Sequence, residues 1–152
     1  MKIALCNEVL RDLSFHQQCL FSAAVGYNGL ELAPFTLSET PHKLPQTRIK
    51  EIKQCVLNAG LEIAGLHWLL VTPPNLSITS PNSSIRLRTR DVLFGLIDLC
   101  SELGGKVLVH GSPNERMVSP DEDHSRVFER VVRFFQEIAK HAGDRNLFYC
   151  IE

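Results

Sequence analysis

No cationic block, no apolar run long enough to span a membrane and no CxxC pair occurs in the sequence. Lysine and arginine nearly balance aspartate and glutamate, for a net charge of −1. Such a chain lacks the basic face that nucleic-acid binding needs. The start, MKIALCNEVLRD, reaches charge after a short apolar stretch, which argues against a secretory leader or a membrane anchor. The five cysteines (Cys6, Cys19, Cys55, Cys100, Cys150) are an odd set, most of them among apolar neighbours. They are expected as buried thiols in a reducing compartment rather than as a disulfide framework. What remains is ordinary: 152 residues, 44% hydrophobic and 22% charged, enough for one domain with a real core. The expectation is a single soluble, cytoplasmic domain over residues 1–152.

What is present is one repeated plan. Short apolar strands are predicted at 3–6, 29–32, 61–66, 106–110 and 147–151, and helices near 14–25, 45–59, 84–103 and 120–142. Strands this apolar suit a parallel sheet buried on both faces. Ser14 with Gln17 and Ser119 with Glu122 match capping boxes, with Pro120 placed where its missing N–H costs nothing. Each helix is followed by glycine (Gly26, Gly60, Gly104, Gly143), the residue that closes a last turn in the left-handed conformation. The pattern is (βα)4β, an α/β fold with two solutions. One is the N-terminal half of a TIM-type (βα)8 barrel, which needs about 250 residues in full. The other is a complete five-stranded doubly wound sheet. Such a sheet usually ends in a helix covering its last strand, and none follows NLFYCIE here.

In parallel βα folds the site forms at the C-terminal ends of the strands. Those ends carry Asn7 and Glu8, then Glu31, His67, His110 with Gly111 and Ser112, and finally Glu152. Imidazole and carboxylate on one rim suit a divalent ion such as Mn, Mg, Co or Zn. Each residue has a plainer role open to it: His67 and His110 as hydrogen-bonded structural histidines, Glu8 as a solvated loop residue, Glu152 as a frayed terminal one. Glu31 sits in an apolar strand, where a carboxylate needs a partner. The other histidines (His16, His42, His124, His141) read as surface, and Arg86, Arg88 and Arg90 as a solvated face. The segment HWLLVTPPNLSITSPNSS (67–84) is too long for a simple turn and reads as a lid or substrate wall. HGSPNER (110–116) sets small residues and Arg116 beside the fourth rim position, a combination suited to a phosphate or carboxylate or equally to an ordinary turn.

The stretches AAVGYNGLELAP (23–34), AGLEIAGLHW (59–68), SELGGKVLVHGSPNER (101–116) and AKHAGDRNLFYCIE (139–152) together resemble the sugar phosphate isomerase/epimerase family of xylose-isomerase-like barrels. The resemblance implies that Glu152, at the end of strand five, binds the divalent metal and acts as one of two catalytic carboxylates. It places His67 near the substrate and Glu31 at the strand-two glutamate. Trp68, His110, Ser112 and Arg116 complete the candidate substrate-binding set. The remaining ligands of that family come from strands six to eight, so the metal site is expected to be incomplete in this chain and the isolated chain inactive. The implied partner is a small sugar or sugar phosphate, handled through an enediolate. Two alternatives stand beside it: an endonuclease IV-like zinc nuclease using His67, His110 and Glu152, and a non-catalytic half-barrel that self-associates to cover its open edges.

Overall fold

A computed structural model describes residues 1–152. Five parallel strands lie side by side in chain order: β1 (Ala4–Cys6), β2 (Gly29–Leu32), β3 (Glu62–His67), β4 (Val107–His110) and β5 (Phe148–Ile151). Strand order decides between the two architectures. A doubly wound sheet reverses direction at a switch point, whereas sequential order throughout is that of a barrel wall. The doubly wound alternative is therefore wrong, and the chain is built as the N-terminal half of a TIM-type barrel.

The helices α1 (Phe15–Val25), α2 (Gln46–Asn58), α3 (Ser83–Leu103) and α4 (His124–Gly143) separate successive strands. The core gathers Leu30, Leu32, Leu66 and Leu108 from the sheet against Ile52, Leu93, Leu96, Ile97 and Ile138 from the helices. Ser14 caps α1 as predicted, with Gln17 returning a side-chain bond to the cap. The predicted box at the start of α4 does not form. Glu122 turns instead to Arg130, whose guanidinium lies 2.9 Å and 3.0 Å from its two carboxylate oxygens. The helix starts later, capped by Asp123 on the amides of Ser125 and Arg126. Gly26, Gly60 and Gly104 are left-handed as expected, but Gly143 stays in the helix and Asn146, at φ 55°, makes the turn into β5.

The long connection after β3 packs against the body of the chain and the segment after β4. Leu69, Leu70, Leu76 and Ile78 are buried in it, Ile78 N–H donates to the Glu115 carbonyl at 2.9 Å, and the Thr79 hydroxyl donates to the Met117 carbonyl. No helix is long and apolar enough to cross a membrane. Two histidines read as surface are not: His42 is half-buried, and His141 stacks on Phe94 with a 4.0 Å centroid separation while meeting Asp98 at 3.1 Å. Of the arginines read as a solvated face, Arg86 donates to the carbonyls of Ser80 and Pro81. Arg90 lies over the Phe94 ring.

Candidate active site

Side chains alternate between faces along a strand, so register decides which strand-end residues meet. Cys6 pairs with Glu31, Glu31 with Gly65, His67 with Val109, and Val109 with Cys150. His67 is two residues beyond Gly65 and Glu152 two beyond Cys150, so Cys6, Glu31, His67 and Glu152 share the inner face. Between Leu30 and Glu31 the register against β3 slips by one residue. Bulges of this kind re-aim side chains near functional sites. Here the slip sets Glu31 opposite a glycine, which clears space for its carboxylate below His67.

The four side chains meet at the rim. His67 Nδ1 lies 3.1 Å from Glu31 Oε2, and its Nε2 lies 3.4 Å from Glu152 Oε2. The imidazole therefore bridges two carboxylates, one from β2 and one following β5. Glu31 and His67 are largely covered, with 26% and 22% of their side chains exposed, whereas Glu152 is 65% exposed. Gly111 makes room for this approach: a Cβ there would fall 2.6 Å from Glu152 Oε2 and 3.1 Å from His67 Nε2. Trp68 takes a left-handed backbone, φ 56°, uncommon for a bulky residue and a form of strain found at functional sites. That conformation lays its indole against His67, with centroids 5.8 Å apart and planes at 24°.

Cys6 joins the group from β1. Its thiol, the Glu31 carboxylate and His67 offer ligand atoms that all lie within 4.8 Å of one another. Burial pushes the Cys6 thiol above its ordinary range; the Glu8 amide opposes this, and the charges of Glu31 and Glu8 reinforce it. Behind the cluster, Asn7 is fully buried. It donates to Gln18 at 3.0 Å and Thr36 at 2.8 Å and accepts from the Ala33 amide at 2.7 Å, which ties the end of β1 to the end of β2. From sequence Asn7 is noted only as a strand-end residue, and Cys6 only as a buried thiol. Both sit at a strand end, and counting faces from Glu31 would have placed Cys6.

Three predicted site residues are not brought to this cluster. His110 follows Val109, so strand alternation turns it to the other face, where it is fully buried. Its Nδ1 meets the Tyr149 hydroxyl at 2.7 Å and its ring meets Phe135 edge-on. Burial first, then the Arg116 charge, push its pKa down to about 4, keeping it neutral. His67, His110 and Glu152 thus do not form a common ligand set. Ser112 accepts from the Leu70 amide at 3.1 Å and anchors the β3 wall. Arg116 donates to the Gly111 carbonyl at 3.2 Å and to the Glu152 carbonyl, so its fork holds backbone at the rim.

A cleft of about 900 Å³ opens at the opposite end of the sheet between the strand starts and α2. Its charged groups are exposed lysines and the exposed Lys2–Glu62 pair. Parallel βα folds place chemistry at the other end, and the paired, covered groups are at the rim.

A family model for xylose isomerase-like TIM barrels matches residues 20–152. The chain belongs to that family. Its structure is similar to D-psicose 3-epimerase of Clostridium cellulolyticum H10, with a TM-score of 0.78 at 18% identity over 99% of this chain and 52% of the other. It is also similar to a 3-keto-D-glucoside 4-epimerase of E. coli (TM-score 0.75, 17% identity, 99% and 55% coverage). An L-ribulose 3-epimerase gives a TM-score of 0.76 at 16% identity, with 98% and 48% coverage. The chain spans about half the length of these structures. No curated protein sequence matches it.

Proposed function

We propose that this chain supplies the N-terminal half of a sugar isomerase/epimerase site acting on a ketose or its phosphate in the cytoplasm. The observation that carries this is the inner-rim arrangement of Glu152, His67 and Glu31 on a barrel wall whose similar structures are sugar epimerases. The donor set at Glu152 fits a divalent ion: an exposed carboxylate and an imidazole nitrogen converge over Gly111, where no side chain intrudes. Glu152, with His67 beside it, would hold the ion, which when bound acidifies the C–H next to a ketose carbonyl and stabilises negative charge on oxygen.

The chain's own residues then have separable tasks. Glu152 takes a proton from the carbon beside the carbonyl, the task of a positioned, exposed carboxylate. His67, held by Glu31 at Nδ1, presents Nε2 to Glu152 and to a sugar oxygen. Trp68 covers one side of the imidazole and gives the sugar ring an apolar surface. Arg116 sets the position of Glu152 through its backbone carbonyl rather than by binding the substrate. Glu152 supplies one carboxylate of a two-carboxylate proton exchange, whereas Glu31 is engaged by His67 Nδ1 rather than offered to the substrate.

Self-association accompanies this reading. Strands β1 and β5 are sheet edges; Ile3, just before β1, and Phe148 and Ile151, within β5, are 51%, 71% and 59% exposed. Unpaired edges flanked by apolar groups recruit another strand, and a second copy supplies it.

The test is relaxation of D-fructose and D-psicose protons by Mn2+ in the presence of the chain. Broadening of signals near the carbonyl that needs both chain and metal, and is lost in Glu152→Gln, supports the proposal. Equal broadening with and without Glu152 refutes it.

A further inference from the structure

The geometry points to a second metal site on this rim, a soft-ion site of the zinc or cobalt type formed by the Cys6 thiolate, the Glu31 carboxylate and His67 Nδ1. It differs from the Glu152 position in its ligands and in the imidazole nitrogen it uses.

Three adjacent strands deliver the ligands. Cys6 and Glu31 are register partners on β1 and β2, and His67 stands two residues beyond Glu31's partner on β3. The three ligand atoms lie within 4.8 Å of one another, with Nδ1 and Oε2 already at 3.1 Å. A tetrahedral ion with bonds of 2.0–2.3 Å holds its ligands about 3.4–3.6 Å apart, so closure asks for side-chain movement of roughly 1 Å. The backbone below is fixed by the three hydrogen bonds of Asn7, next in chain to Cys6. Thiolate, imidazole and carboxylate together select zinc-like ions over magnesium or calcium. Three protein ligands leave a fourth position open.

On binding, the Cys6 S–H bond breaks, sulfur keeps the electron pair and donates it to the ion, and the proton leaves to solvent; no electron is transferred. An ion on Nδ1 also fixes the tautomer of His67. The remaining proton then resides on Nε2, 3.4 Å from Glu152 Oε2, so with this site filled His67 donates to that carboxylate and leaves an ion at Glu152 to the carboxylate alone. Ligands commonly orient neighbouring groups through their second nitrogen.

Titration of the 152-residue chain with Co2+ tests this. The expected result is a thiolate-to-cobalt charge-transfer band in the near ultraviolet that saturates at one ion per chain and is displaced by Zn2+. Cys6→Ser abolishes the band and weakens cobalt binding by more than about 100-fold, beyond the 10–100-fold typical of losing a supporting group. Glu31→Gln weakens it, and Glu152→Gln and Cys150→Ser leave it intact. Absence of the band in the unaltered chain, or a band that survives Cys6→Ser in a folded variant, overturns the proposal. The ketose proposal fails separately, because its readout depends on Glu152 and is indifferent to Cys6→Ser.

Discussion

Replacing Gly65 with alanine is the most demanding test of the strand arrangement that builds the site. An added Cβ would sit 1.9 Å from the Val107 carbonyl oxygen, 2.8 Å from its carbon and 3.1 Å from Val107 N. All three are backbone atoms of β4, so no side chain can rotate away. Strands β3 and β4 must separate by about 1 Å or more, and the register pairs Gly65–Val107, Leu66–Leu108 and His67–Val109 lie across that seam. Backbone hydrogen bonds are worth about 1 kcal/mol each net, and overpacking costs about 1–3 kcal/mol. The variant should lose about 3–5 kcal/mol, a large share of the roughly 5–15 kcal/mol that holds a domain. Urea unfolding followed by circular dichroism reads this directly. Gly104→Ala is the control: its φ of 84° is strained for alanine, but nothing lies within 4 Å of the added Cβ. The control should therefore lose only about 1–2 kcal/mol. If Gly65→Ala unfolds within about 0.5 kcal/mol of the parent, the close approach of β3 and β4 is wrong.

Asn7→Ala removes three hydrogen bonds and leaves the Ala33 amide unpaired in the core; it should destabilise by about 2–4 kcal/mol in the same urea assay. Gly111→Ala meets only the mobile end of Glu152 and the His67 ring. It should cost less than about 1 kcal/mol of stability while abolishing the Mn2+-dependent ketose signal, so a variant that retains the signal contradicts the crowding at the rim. Sedimentation velocity should show a dimer of the 152-residue chain, and a monomer at concentrations well above micromolar would remove the self-association proposal.

The fold was largely legible because its signals are local. The run of apolar strands, the Ser14 cap and the glycines at 26, 60 and 104 each report on a few neighbouring residues. The α4 start was misjudged because Glu122 had two possible partners, Ser119 nearby and Arg130 further along, and only packing shows that Arg130 takes it. Glu31, His67 and Glu152 were legible as strand-end residues, and the structure brings their side chains together. His110 was misassigned because strand-end position says nothing about face: one residue of phase sends it to Tyr149 and the helices. Cys6 was passed over for the converse reason. It looked like one more buried thiol, and only the β1–β2 register puts it beside Glu31.

Amide chemical-shift mapping with D-psicose and Mg2+ tests the central claim most directly. Shifts confined to His67, Trp68, Gly111 and Glu152, absent without the metal, are the predicted result. Shifts clustering around Lys2, Asn28 and Lys50 at the opposite end of the sheet, or no metal-dependent shifts at all, would contradict it.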